Sequence, residues 1–151
     1  MKQATNKNPN MLRAGLIAML ALLVFQFVVG MYLNFYTELP NAHPGAGDSY
    51  APSIPWALAG HAGPALAIHV AVWILLTVGA IALLVRGIIS KRKAYTLGTS
   101  LGLLFILMAG SGGLTFLNRD GADKDSFMMA IGFILACIAY GATLYASKER
   151  A

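Results

Sequence analysis

The strongest constraint in this sequence is a set of four long apolar segments. They cover approximately residues 12–36, 64–88, 95–117 and 126–146 of the 151-residue chain. Each reaches the roughly 20 residues that a helix needs to cross the hydrocarbon core of a membrane. Because they occupy most of these residues, a separate soluble catalytic domain is not expected among them. We therefore predict an all-α integral membrane protein with one domain, a four-helix bundle.

The first apolar segment also has features of a secretory signal. Basic residues precede its apolar run from Leu16 to Gly30, at Lys2, Lys7 and Arg13. The apolar run is longer than the core of a signal peptide, however, and no small-x-small cleavage motif follows it. We therefore expect it to be retained as the first span.

Charge is distributed unequally between the two ends of the spans. One end carries Lys2, Lys7, Arg13, Arg86, Lys91, Arg92, Lys93, Lys148 and Arg150 against Glu149. The other carries Arg119 and Lys124 against Glu38, Asp48, Asp120, Asp123 and Asp125. Since basic loops stay on the cytoplasmic side, both termini and the 89–94 loop are predicted to be cytoplasmic. The bundle then runs up-down-up-down across a plasma membrane of bacterial type.

The net charge of +5 does not indicate a nucleic-acid partner. The basic stretch Ser90-Lys-Arg-Lys-Ala-Tyr95 has almost none of the aromatic and polar side chains that read bases. Basic residues at this position are typical topology determinants, and they also contact anionic lipid headgroups. The lipid bilayer is accordingly the partner that we expect, with no nucleic acid.

The long outer loop, residues 37–63, is rich in proline and glycine. Loops of this length in a compact protein are usually functional or partly disordered. Within it, residues 54–60 are predicted to form a short interfacial helix with Ser53 as N-cap, Pro55 in the first turn and Gly60 after its end. Trp56 favours a position in the interface between lipid and water.

Few polar residues lie deep in the spans, and none of them is charged. The main ones are Gln26, His69, Thr77, Ser111 and Thr115. A proton-coupled exporter needs a carboxylate at depth and a retinal protein needs a buried lysine, so both classes are disfavoured. The single cysteine, Cys137, disfavours disulfide exchange. No catalytic set is apparent, which favours a binding or accessory protein over an enzyme.

His69 is the most informative of these residues. It lies five residues after Pro64, about 7–8 Å below the outer end of its helix. His69, Trp73 and Thr77 share one helical face. We predict an outer-leaflet polar site around His69, whose candidate members, for haem or quinone, are His69, His61, Met128, Ser111 and Gln26.

The pattern His69-x3-Trp73-x3-Thr77, entered from Gly63-Pro64, is similar to the haem-ligating helices of small b-type cytochromes and of haem A synthase halves. This resemblance covers about twenty residues and implies haem b bound by His69. The second axial ligand would be His61, His43 or a methionine: Met108, Met128 or Met129. The chain departs from those families because they place histidines on two or more spans, and here one lies within a span.

Other interpretations of the histidines stay open. His69 can instead form an interhelical hydrogen bond, to Ser111 or to a backbone carbonyl. Together with Gln26 it can supply the few polar contacts that a quinone or lipid pocket requires. His43 and His61, with Asp48, form a candidate copper or zinc site, although His43 also suits an ordinary turn.

Over its whole length the chain resembles small bacterial four-span membrane proteins. The shared features are the step Phe25-Gln26 in the first span, the stretch His43-Pro-Gly45 in the outer loop and His69 early in the second span. The resemblance implies the fold and no particular activity. We predict an accessory or binding protein that associates with another membrane protein or a second copy; the alternative is a haem b redox protein that exchanges electrons with a quinone or a partner.

Overall fold

The computed structural model describes residues 9–40, 42–47, 50–119 and 123–148. These residues form five helices and no strand: α1 (Pro9–Tyr36), α2 (Ser53–Leu58), α3 (Pro64–Ile89), α4 (Lys93–Asn118) and α5 (Asp123–Lys148). All except α2 are long and apolar enough to span a membrane, with mean hydropathies between 1.8 and 2.5. The predicted all-α fold with four spans is confirmed. Some residues used in the charge and metal predictions lie outside the described ranges: Lys2, Lys7, Asp48, Asp120, Glu149 and Arg150.

Local sequence signals determine where α3 begins and ends. Pro64 is its first residue, a position where the missing amide hydrogen costs no helical bond. Gly63 enters it with φ of 91°, in the left-handed region that favours glycine. At the other end, the Ser90 hydroxyl donates to the carbonyl of Gly87 at 2.6 Å. The chain then reverses through Lys91, with φ of 57°, so that α3 and α4 form a tight hairpin.

The four long helices form a closed ring in which each packs against two neighbours. α1 contacts α3 and α5, and α4 likewise contacts α3 and α5. Contacts along the α1–α3 seam run antiparallel, since Gly15 lies against Leu83 and Gly30 against His69. Phe27 of α1 stacks on Phe133 of α5 with ring centroids 4.9 Å apart. The side of the membrane on which each end lies stays a prediction.

Small residues let α4 and α5 approach closely. A Cβ on Gly98 would overlap the Thr143 side chain, and one on Gly102 would overlap the Tyr140 ring. A Cβ on Gly132 would lie 2.8 Å from the backbone oxygen of Phe105. Because helices in lipid associate by close packing, glycine at these positions lets α4 and α5 contact each other directly.

Buried apolar side chains form two clusters at different depths. The larger lies toward the basic end and contains Leu12, Leu16, Met19, Leu23, Leu76, Ala80, Leu83, Tyr95, Ile106, Ala136 and Tyr140. The smaller joins Ala57 of α2 to Leu66 and Leu117 at the other end of the bundle. Between these levels, α1 and α3 carry Gln26 and His69. The candidate polar site therefore separates the two apolar clusters.

The outer loop caps the carboxyl end of α4. His43 Nε2 lies 3.0 Å from the Leu117 carbonyl oxygen, and the Gly47 amide donates to the Asn118 carbonyl at 3.2 Å. These contacts occupy carbonyls that have no partner within their own helix. The loop is thus fixed to the bundle by hydrogen bonds as well as by apolar contact.

The prediction that Ser53 caps α2 is wrong. Ser53 is the first residue of the helix, Pro52 precedes it, and no side chain caps the helix. The Ser53 hydroxyl donates instead to Oδ1 of Asn118 at 2.8 Å, in a fully buried position. The Ser53 hydroxyl therefore bonds to a residue distant in sequence instead of to an amide of its own helix. The local sequence pattern does not predict this partner.

Candidate functional site

Gln26 and His69, both predicted members of the site, are in contact across the α1–α3 seam. The Gln26 side-chain Nε2 donates to the backbone carbonyl oxygen of His69 at 3.1 Å. The bond uses the donor end of the amide and leaves its oxygen to other partners. It also fixes where the Gln26 side chain lies relative to α3.

The imidazole of His69 packs on the backbone of α1. A Cβ built on Gly30 would lie 3.0 Å from Cε1 of His69 and 3.6 Å from Nδ1. Such an approach requires the absence of a side chain at residue 30. Gly30 therefore creates the space that the imidazole occupies.

Trp73 lies one helical turn further along α3 and fills the space between α3 and α4. A Cβ on Gly110 would overlap Nε1 of the indole, so this space exists because residue 110 has no side chain. The antiparallel pairing of Gly30 with His69 places Gln26 level with Trp73, four residues away on each helix. Gln26, His69 and Trp73 thus fall within about one helical turn of depth.

Each of these three side chains has a buried polar atom without a hydrogen-bond partner among the described residues. The atoms are Gln26 Oε1, His69 Nδ1 and Trp73 Nε1. Leaving such a group unpaired costs about 1–3 kcal/mol, so each one needs a physical explanation. The indole nitrogen donates, the amide oxygen accepts, and an imidazole nitrogen does either according to its tautomer. The three together suit a molecule that carries both acceptors and donors.

An apolar groove of about 290 Å³ lies along the same α1–α3 seam. It extends from Gly15 and Arg86 at the basic end to Leu22 and Leu75. Leu22 is one turn before Gln26 on α1, and Leu75 is two residues after Trp73 on α3. The seam therefore carries a polar level and, further toward its basic end, an apolar groove that the polar residues do not line.

The other predicted members of the site have different surroundings. Ser111 is exposed, and its hydroxyl donates to the Met108 carbonyl of its own helix at 2.8 Å rather than to His69. Met128 is partly exposed on α5. His61 is also exposed, with its ring 6.4 Å from that of Trp56 on α2. A hydrogen bond joins Gln26 to His69. No described hydrogen bond or ring contact joins Ser111, Met128 or His61 to either residue.

His69 is the predicted haem ligand. The imidazole edge that carries Cε1 faces the α1 backbone, and the ring contacts of His61 are with Trp56. The hydrogen bonds and ring contacts of the described residues include none between His69 and His61. Haem b at His69, with its second axial ligand, stays a prediction.

His43 and His61, the candidate metal ligands, lie near the same indole. The His43 ring stacks on Trp56 with centroids 4.6 Å apart, and its Nδ1 lies 3.2 Å from the Pro44 carbonyl oxygen. With Nε2 on Leu117, both nitrogens of His43 face carbonyl oxygens. The described ranges, which exclude Asp48, contain no group of three metal-ligating side chains. A metal at His43 would have to displace one of these contacts.

One acidic residue is unexpectedly buried. Asp125, counted from the sequence only among the charges at one end of the spans, lies in the first turn of α5 with 5% exposure. Its Oδ2 has no hydrogen-bond partner among the described residues. Gly112 on α4 is the sequence feature that accompanies this burial. A Cβ on Gly112 would lie 3.0 Å from the backbone oxygen of Asp125, so the absence of a side chain there lets α5 approach α4.

Comparison of the chain with protein-family models, with curated proteins and with solved structures gives no match. The comparisons therefore do not support the resemblance to haem-ligating helices or to a group of bacterial four-span proteins. Four helices long and apolar enough to cross a membrane are the part of that resemblance that the structure supports. Evidence on function consequently comes from the geometry of the site.

Proposed function

We propose that this small multi-pass membrane protein binds a membrane-soluble quinone at the α1–α3 seam. The observation that carries the proposal is a pair of buried, unpaired polar atoms at this seam, Gln26 Oε1 and His69 Nδ1, with a third, Trp73 Nε1, at the same depth beside Gly110 of α4. An apolar groove of about 290 Å³, lined by none of these three residues, lies further along the same seam toward its basic end. Ligand sites of this kind are mostly apolar, with a small number of placed polar groups that fix orientation.

The donor and acceptor types match both redox forms of a quinone. A quinone carbonyl oxygen would accept from Trp73 Nε1 and from His69 Nδ1 when that nitrogen carries hydrogen. A quinol hydroxyl would donate to Gln26 Oε1. The proposal concerns binding, and it assigns no redox step to the protein.

The depth of the site supports a ligand that arrives through the bilayer. His69 lies about 7–8 Å below the outer end of α3, where polar groups face the protein interior or a cavity. A hydrogen bond formed in this low-dielectric setting is stronger than one in water. The isoprenoid tail of a quinone would lie in the groove between Leu22 and Leu83.

Equilibrium binding of a short-chain quinone to protein in lipid nanodiscs tests the proposal. His69→Leu and Gln26→Leu each remove one polar partner, and each is expected to weaken binding about five- to tenfold. Thr77→Val is the matched control, because its hydroxyl already donates to the Trp73 carbonyl at 3.0 Å. Equal affinity in all four proteins, or binding that does not saturate, would contradict the proposal.

A further inference from the structure

A second depression lies at the opposite end of the bundle, where α4 begins. This basic groove has a volume of about 400 Å³ and is lined by Lys91, Lys93, Thr96, Leu97 and Ser100. It combines two cations, two hydroxyls and one apolar side chain. None of these residues belongs to the proposed quinone site.

The two lysines flank the sharp turn between α3 and α4. Lys91 has φ of 57°, which reverses the chain, and Lys93 is the first residue of α4. Both side chains are exposed. The described acidic residues lie at the other end of the long helices, at Glu38, Asp123 and Asp125. The positive charge of the groove is therefore not neutralised by a described carboxylate.

Ser100 supplies a hydrogen-bond donor deeper in the basic groove. The threonine hydroxyls and the other serine hydroxyl of α4 donate to helix carbonyls: Thr96, Thr99, Ser111 and Thr115. For the Ser100 hydroxyl, the described residues provide no such bond, although it is partly buried. Ser100 lies seven residues after Lys93, which places it about 10 Å further along the helix axis.

The distance between Lys93 and Ser100 distinguishes a phospholipid from a free phosphate as the ligand. Phosphate alone would need the lysines and would not reach Ser100. A phospholipid carries its phosphate at the level of the headgroup, ester carbonyls below it and acyl chains below those. The basic groove has a matching order from the end of α4 inward. The lysines come first, at the level of the phosphate, and Leu97 and the Ser100 hydroxyl follow at the level of the ester carbonyls and acyl chains.

We propose that the basic groove binds an anionic phospholipid, with its phosphate between Lys91 and Lys93 and an ester carbonyl accepting from the Ser100 hydroxyl. Basic residues at a membrane surface attract anionic lipids generally. The proposal is narrower, because it assigns one lipid molecule to one groove. It stands independently of quinone binding at the other end of the bundle.

Native mass spectrometry of the detergent-purified full chain, titrated with phosphatidylglycerol or phosphatidylcholine of matched acyl chains, tests the proposal. We expect phosphatidylglycerol to bind at least about tenfold more tightly, and Lys91→Gln and Lys93→Gln each to lower that affinity about fivefold. Ser100→Ala is expected to lower it about threefold. Inorganic phosphate is expected not to displace the lipid.

Arg13→Gln is the matched control for charge, since Arg13 is exposed at the same end of the bundle and lies outside the basic groove. It should change the affinity by less than about twofold. If Arg13→Gln lowers the affinity as much as the lysine variants do, the lipid is attracted by the overall positive charge of this end of the bundle. That result would overturn the proposal. Equal binding of phosphatidylcholine, an unchanged affinity in Ser100→Ala, or displacement by phosphate would also overturn it.

Discussion

The imidazole of His69 rests on the backbone of Gly30, with Cε1 only 3.0 Å from the point where a side chain at residue 30 would begin. This contact fixes the imidazole between α1 and α3. One turn away, the Gln26 amide holds the His69 carbonyl at 3.1 Å. Together the two contacts fix both the spacing between α1 and α3 and the position of the His69 imidazole.

Enlarging residue 30 should displace the imidazole. Gly30→Leu is expected to destabilise the protein by about 1–3 kcal/mol, because the added atoms need space that His69 fills. Thermal unfolding in detergent measures the effect. Gly141→Ala is the control, since a Cβ there has no neighbour within 4 Å. If Gly30→Leu unfolds at the temperature of the unmodified protein, the packing described for His69 is wrong.

A side chain at residue 110 should collide with Trp73. Gly110→Ala is expected to cost about 1–3 kcal/mol through overpacking of the indole. Trp73→Phe removes the indole nitrogen that the new Cβ would overlap. In the double variant the two costs should therefore be less than additive, as a double-mutant cycle by thermal unfolding would measure. Strict additivity would mean that the two residues are not in contact.

Removing the side chain of Asn118 should loosen the outer loop. Asn118→Ala deletes the nearer acceptor of the buried Ser53 hydroxyl, Oδ1 at 2.8 Å, and leaves the Pro44 carbonyl at 3.3 Å, so the expected cost is about 1 kcal/mol. Limited proteolysis should then cut faster within residues 42–60. Ser111→Ala, which removes an exposed hydroxyl, should leave the rate unchanged. Identical cleavage in both variants would exclude Asn118 as the anchor of the loop.

The orientation predicted from charge is tested by cysteine labelling. With the single native cysteine removed as Cys137→Ala, a cysteine introduced by Asp123→Cys should react with a membrane-impermeant maleimide added from outside. One introduced by Ser90→Cys should react only after the membrane is permeabilised, because basic loops stay cytoplasmic. The reverse pattern would invert the topology.

Hydropathy was sufficient to predict the four spans, since a helix that crosses lipid must be long and apolar. Gln26 and Gly30 are four residues apart, a spacing that puts them on one face of α1, and this face meets His69. Spacing does not determine which neighbour a face meets. Ser111 was expected near His69, but it lies between Gly110 and Gly112, whose missing side chains pack α4 closely while Ser111 is exposed.

The unpaired polar atoms could not be predicted from the sequence for a related reason. Whether Trp73 Nε1 finds a partner depends on the side chains and backbone of two other helices, which sequence periodicity does not encode. The bond from Ser53 to Asn118 likewise joins residues 65 positions apart. Contacts between residues so far apart in sequence depend on how the helices pack, which sequence periodicity does not determine.

Tryptophan fluorescence tests quinone binding most directly, because the chain has two tryptophans and one of them is in the proposed site. Trp56→Phe leaves Trp73 as the sole indole. Titration of this variant in nanodiscs with a short-chain quinone should quench its emission saturably, and adding His69→Leu should shift the titration to about five- to tenfold higher concentration. Quenching that rises linearly and is unaffected by His69→Leu would contradict a quinone site at the α1–α3 seam.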